Sequence, residues 1–190
     1  MPYRIIPSFS DNFFHIYNRG NNKEQIFFDD RNYDFFLSRL LDSFETKISL
    51  VAYCLMPNHY HLIVYIKETL ALEKAMQRFS VSYTKAINKS YNRVGHLFQG
   101  RYQSKLIPNN EYLLHLSRYI HRNPFVANLV NNIEDWKYSS YLDYINKRSN
   151  SSLEKHFILD QFKSIESYKS FVNEYNVEET YYLKNLIFVE

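Results

Sequence analysis

Apolar and polar positions change their period along the chain, and each change marks an element. Residues 13–18 (Phe-Phe-His-Ile-Tyr-Asn) predict a first strand, stopped by Arg19-Gly20-Asn21-Asn22. From about Asp30 to Phe44, Phe35-Phe36, Leu40-Leu41 and Phe44 recur at helical spacing, with Asp29 or Asp30 as cap. Ile48–Leu55 predicts a second strand, Pro57-Asn58 a turn and His59–Ile66 a third strand, antiparallel because the connection is so short. A long helix follows from Leu70 to about Tyr91, with Leu72, Met76, Phe79, Tyr83, Ile87 and Tyr91 as its apolar stripe. Asn92-Arg93-Val94-Gly95 ends it, and Tyr102–Ile107 supplies a fourth strand. Asn109 or Asn110 caps a third helix through about His121, and Pro124 is expected to open a new segment. Trp136–Ile145 predicts a short further helix.

The order β-α-β-β-α-β-α implies an α+β fold, with helices on one face of an antiparallel sheet and the other face available for chemistry. Residues 146–153 (Asn-Lys-Arg-Ser-Asn-Ser-Ser-Leu) are the best linker candidate. The expected division is therefore a main domain over 1–149 and a C-terminal helical appendage over 150–190. One or two accessory helices are predicted in it from Phe157, Leu159, Phe162, Ile165 and Phe171.

Within this pattern the third strand is anomalous. His59 and His61 stand at i and i+2 in an apolar, β-branched run, so strand geometry sends both imidazoles to one face. A buried sheet face ordinarily takes Val, Ile or Phe there. Two neutral imidazoles on one face are half of a divalent-metal site. The competing reading makes them hydrogen-bonded sheet residues.

Charge sharpens the picture. The net charge of the 190 residues is only +3, yet residues 74–110 hold Lys74, Arg78, Lys85, Lys89, Arg93, Arg101 and Lys105 with no Asp or Glu. Such a stretch is either a solvated helix face or a track for a phosphate backbone. The 18 Tyr and 15 Phe side chains can pack a core or stack on unpaired bases, and can equally reflect an AT-rich genome. No apolar run approaches the roughly eighteen residues of a membrane span, so no membrane partner is expected. The start of the chain lacks a signal-peptide core, and the single cysteine, Cys54, fits a reducing cytosol; a cytoplasmic location is expected.

Four blocks carry a family resemblance. They are Phe14-His15-Ile16-Tyr17-Asn18-Arg19-Gly20, Tyr53 through Leu62 (with Met56-Pro57-Asn58-His59-Tyr60-His61), His96-Leu97-Phe98-Gln99-Gly100-Arg101-Tyr102, and Tyr119-Ile120-His121-Arg122-Asn123-Pro124. In this order the sequence resembles the IS200-like single-tyrosine transposases, and most nearly the branch associated with repetitive extragenic palindromes (REPs). The resemblance covers roughly residues 10–145. It implies a ferredoxin-like or RRM-like sheet with helices on one face, the catalytic helix near the other, and C-terminal accessory helices outside the core. It also implies a histidine–hydrophobic–histidine metal pair at His59 and His61, a nucleophile at Tyr119 and a third ligand at Asn123. The cofactor would be Mg²⁺ or Mn²⁺, and the substrate single-stranded DNA bearing a hairpin. The reaction would leave a 5′-phosphotyrosine and a free 3′-hydroxyl. Relatives act as monomers or homodimers. Phe125-Val126-Ala127-Asn128 departs from the usual Val-Arg-Ala-Gly-like continuation, which touches DNA contacts or a cap rather than the chemistry.

The residues are compatible with that chemistry. Tyr119 and Asn123, four apart, share a helix face, with His115 one turn earlier as a weak proton-transfer candidate. An unperturbed phenol has a pKa of about 10, so the nucleophile needs activation. Tyr112 and Tyr102 are the nearest alternative tyrosines. Candidate DNA contacts are Arg19, Lys85, Lys89, Arg93, Arg101, Lys105, Arg118 and Arg122. The main competing function is a catalytically inactive, hairpin-DNA-binding regulator.

Overall fold

The computed structural model describes residues 7–174, which form a four-stranded antiparallel sheet flanked by helices. The strands are β1 (Asn12–Arg19), β2 (Ile48–Met56), β3 (His59–Ile66) and β4 (Gln103–Leu106), in the spatial order β2-β3-β1-β4. Three longer helices, α1 (Asp30–Phe44), α2 (Ala71–Ser90) and α3 (Asn110–Val126), alternate with the strands to give the ferredoxin-like arrangement.

Register divides the sheet into two unlike faces. Directly opposed residues of antiparallel strands share a face. Phe14, Ile16, Tyr60, Leu62, Val64 and Ile66 are all buried on one side. They meet α1 and α2, whose facing stripes interlock: Phe36 lies 5.0 Å from Tyr60 and 4.6 Å from Phe79 between ring centroids. The pairs His15–Ile63, Tyr17–His61 and Arg19–His59 define the opposite side, extended by Lys105 opposite His15 and Gln103 opposite Tyr17. That side is covered by α3.

Local chemistry explains most boundaries. Asp29 caps α1 by accepting from the Asn32 amide, and the Asn32 side chain answers back at the Asp29 backbone, a reciprocal capping box. Asn109 caps α3 through the Tyr112 amide. The expected break at Pro124 does not occur: α3 runs through it to Val126. The pyrrolidine fixes φ near the helical value, and the Ala127 amide still bonds back to the Asn123 carbonyl. Residues 136–145 are mostly not helical. One 3-10 turn precedes them at Ile133–Asp135, and only Tyr141–Tyr144 (α4) forms a helical turn.

The segment expected as a linker is bonded into the fold. The Arg148 guanidinium grips the buried Asp143 carboxylate and also donates to the Tyr53 hydroxyl at 2.9 Å. The Glu154 amide donates to the Leu50 carbonyl beside a bulge in β2. The chain then forms α5 (His156–Leu159) and α6 (Ile165–Asn173), and α6 packs against α3. The two accessory helices are present; residues 175–190 of the expected appendage lie outside the described residues.

Candidate active site

The two-residue connection Pro57-Asn58 aims the start of β3, and backbone bonds from the segment after β1 fix it. Gly20 donates to the Asn58 carbonyl at 2.7 Å, and Ile26 donates to that of Pro57 at 2.9 Å. Gly20 is required for space: a Cβ there would stand 1.9 Å from the Glu24 carbonyl oxygen. The loop 97–100 joins the same end of the sheet, where Gln99 donates to the Arg19 carbonyl and Asn21 to that of Leu97. Three of the four sequence blocks are thereby held around one corner.

His59 lies at that corner, partly buried, and His61 is 1% exposed one pleat further in. Their rings stand edge to face, 5.2 Å apart. Burial lowers both imidazole pKa values, with Arg19 adding to the effect at His59, which falls to about 4. At His61 the neighbouring His15 and His59 add to burial, and the shift is well downward. Both rings are therefore neutral at physiological pH, the state a metal requires.

His59 also has a defined tautomer. Its Nδ1 lies 2.7 Å from Asn58 Oδ1, and the Asn58 amide nitrogen donates to the Lys23 carbonyl at 3.1 Å. A carboxamide oxygen only accepts, so His59 Nδ1 carries the proton and Nε2 the lone pair. His61 Nδ1 meets His15 Nε2 at 3.0 Å.

Helix α3 brings Tyr119 to this face: its ring meets that of His61 edge-on at 5.6 Å. Asn123 follows one turn later on the same continuous helix and is buried. Two imidazoles and a carboxamide are a donor set compatible with Mn²⁺ or Mg²⁺, water and phosphate oxygens completing the shell. Among the described residues no group of three His, Cys, Asp or Glu side chains could hold a metal. The alternative tyrosines are poorly suited to attack. Burial pushes the phenols of Tyr102 and Tyr112 upward, and among the described residues neither hydroxyl has a hydrogen-bond partner.

The remaining candidates divide by location. Arg19 and Lys105 lie on the histidine face, Arg19 bonded to the Gln99 carboxamide and Lys105 5.8 Å above the Tyr17 ring. Arg101 is exposed just before β4. Lys85 and Lys89 are exposed on α2, in the layer behind the sheet. Arg93 bonds Glu24 at 3.0 Å and lies over the Phe28 ring. Arg118 and Arg122 serve the accessory helix: Arg118 donates to the Phe171 and Glu174 carbonyls, Arg122 to those of Val172 and Asn173. His115 accepts from Arg118 at 2.7 Å, and His121 points away from the site, between Tyr168 and Ser140. Asn58 and Gln99 are site-shaping residues whose contacts the sequence does not announce. The alternation of β1, which places His15, Tyr17 and Arg19 on one face, was the available signal for His15.

The comparisons with known proteins agree with this architecture. No curated protein matches the chain. Among solved structures, it is similar to a REP-associated tyrosine transposase bound to a REP hairpin, with a TM-score of 0.65 and 18% identity over 81% of this chain and 97% of that one. It is also similar to a protein described as a transposase from Deinococcus radiodurans R1, at a TM-score of 0.43 and 14% identity over 64% and 95% of the two chains. The first likeness supports the fold. The family model for IS200-like transposases matches residues 8–123, more than half the chain, so the chain belongs to the IS200-like transposase family.

Proposed function

We propose that this transposase is a metal-dependent single-strand DNA endonuclease and strand transferase, with Tyr119 as nucleophile and His59, His61 and Asn123 as metal ligands. The observation that carries the reading is the edge-on placement of the Tyr119 ring against His61. It sets the phenol that the family resemblance implies as nucleophile beside the neutral imidazole of His61. A bound Mg²⁺ or Mn²⁺ would supply Lewis acidity and orient the scissile phosphate.

In the proposed step the Tyr119 oxygen attacks phosphorus and a new O–P bond forms. The P–O3′ bond breaks, the phenolic proton is released, and the departing 3′-oxygen takes up a proton. The DNA 5′-phosphate remains on Tyr119. Phosphodiester energy is conserved in the adduct, so a 3′-hydroxyl can reverse the step or join another strand. Arg19 and Lys105 are the cations best placed to meet backbone phosphates at the site, with Arg101 exposed just before β4. The partner we propose is single-stranded DNA with a hairpin near the cleaved bond; the REP-associated structural relative is bound to a REP hairpin.

The test uses single-stranded oligonucleotides carrying hairpins from repeats flanking the native gene. Wild type and Tyr119→Phe are incubated with Mn²⁺ or Mg²⁺, and adducts are mapped on denaturing gels and by peptide mass spectrometry. The expected result is a metal-dependent 5′-DNA adduct on Tyr119, absent from the variant. Hairpin binding without any adduct would replace this reading with that of an inactive hairpin-binding regulator. An adduct on another tyrosine would keep the reaction and overturn the nucleophile.

A further inference from the structure

Both candidate metal-ligating imidazoles have Nδ1 occupied by a partner from the protein, and the partners differ. At His59 the partner is the Asn58 carboxamide oxygen, which can only accept. At His61 it is another imidazole: His15 Nε2 at 3.0 Å, the two rings lying 20° from parallel with centroids 5.2 Å apart. His15 is wholly buried on β1, hydrogen-bonded on both sides by β3 and β4, and its ring rests 4.8 Å from that of Tyr17. A rigid central strand thus holds it in place.

One proton sits in the contact between the two rings, so one nitrogen donates and the other accepts. If His15 donates, neutral His61 carries its proton on Nε2 and has no lone pair left for a metal. If His61 donates, its Nε2 becomes the lone-pair nitrogen, matching His59. We propose that His15 is a positioning residue that accepts the His61 Nδ1–H bond, and so commits His61 to the tautomer able to ligate through Nε2. This rests on the reading of His59 and His61 as metal ligands. The arrangement follows the general design in which an outer partner on the second ring nitrogen fixes the orientation and tautomer of a ligating histidine.

The experiment uses the full chain without DNA. The protonation of each ring nitrogen of His61 is read by ¹⁵N NMR on metal-free wild type. Mn²⁺ affinity is then measured by electron paramagnetic resonance for wild type, His15→Phe and His15→Gln, with folding checked by circular dichroism. His61 is expected to carry its proton on Nδ1. His15→Phe, which keeps a flat ring but has no acceptor, is expected to weaken Mn²⁺ binding by about 10- to 100-fold. His15→Gln, whose amide oxygen accepts, is expected to restore most of that loss. A proton on His61 Nε2 in wild type overturns the proposal, as does unchanged Mn²⁺ affinity in folded His15→Phe. Absence of Mn²⁺ binding in wild type would overturn the metal-site reading instead, and the tautomer measurement would still decide the role of His15. The same measurement decides it if His15→Phe does not fold.

Discussion

The two faces of the sheet are built from alternate residues of the same strands, yet they obey different rules. Toward α1 and α2, β1 and β3 present Phe14, Ile16, Tyr60, Leu62 and Val64, all wholly buried in an aromatic and aliphatic core. Toward α3 they present His15, Tyr17, His59 and His61, where burial keeps polar groups neutral instead of excluding them. One face stabilises and the other carries the proposed chemistry, and the two-residue strand period is what lets one short sequence present both. The sharpest break of this contrast is a pair of truncations. Phe36→Ala, which opens a cavity among Phe27, Tyr60, Phe79 and Tyr83, is expected to cost about 3–5 kcal/mol in urea unfolding. His59→Ala, at the partly exposed corner, is expected to cost no more than about 1 kcal/mol in the same assay while removing the metal-dependent adduct. Equal losses of stability would mean that the faces are not energetically distinct.

A second contrast lies within α3. One side faces the sheet with Tyr119, and the other is fastened to α6. Arg118 is 3% exposed, stacks 4.3 Å above the Phe171 ring and caps the end of α6. Arg118→Ala is expected to cost about 2 kcal/mol in urea unfolding, with little change in the salt dependence of hairpin binding. A shallower salt slope with unchanged stability would return Arg118 to the DNA surface.

The same side of α3 holds a pH-sensitive group. His121 is fully buried between Tyr168 and Ser140, and burial brings its pKa to about 3, against 6.5 for a free imidazole. A lowered folded-state value means that the unfolded chain binds the extra proton. This contribution to stability is complete above pH 6.5 and is lost as pH falls toward 3. Between pH 6 and 4 it adds a slope of about 1.4 kcal/mol per pH unit. His121→Gln, which keeps hydrogen-bonding capacity without titrating, is expected to reduce the measured slope of unfolding free energy by that amount. An unchanged slope would show that other groups dominate the acid limb.

The legible parts of the molecule were those set by local rules. An apolar, β-branched run after the Pro57-Asn58 turn gave β3 from His59 to Ile66, and of the two candidate caps Asp29 is the one that starts α1. The order of elements was enough for an antiparallel sheet with helices on one face, and the family resemblance added the ferredoxin-like topology. What stayed hidden depends on partners distant in sequence. His15 and His61 are 46 residues apart, and only the β1–β3 register brings their rings together. The Ser- and Asn-rich stretch after residue 146 has the composition of a linker, but Arg148 finds Asp143 and Tyr53, and Leu153 is buried beside Leu50. Pro124 carries a strong local stop signal, yet the helix continues for one more bonded step beyond it. The basic residues illustrate the same limit. Sequence placed Arg118 and Lys89 in one class, whereas the fold buries the first against α6 and exposes the second on α2.

Those exposed α2 cations give the smallest expected effect and the finest test of which face meets DNA. Lys85 and Lys89 lie behind the sheet rather than on the histidine face. Replacing both with Ala is expected to leave unfolding free energy within about 0.5 kcal/mol. If a hairpin backbone wraps from the histidine face onto α2, binding of hairpins of different sequence should weaken by the same factor. The slope of log affinity against log salt should then become shallower by about one for each phosphate no longer neutralised. Sequence-selective weakening would instead assign these lysines to base recognition. An unchanged slope would remove α2 from the DNA path and leave Arg19 and Lys105 on the histidine face, with Arg101 just before β4, as the proposed track for the backbone.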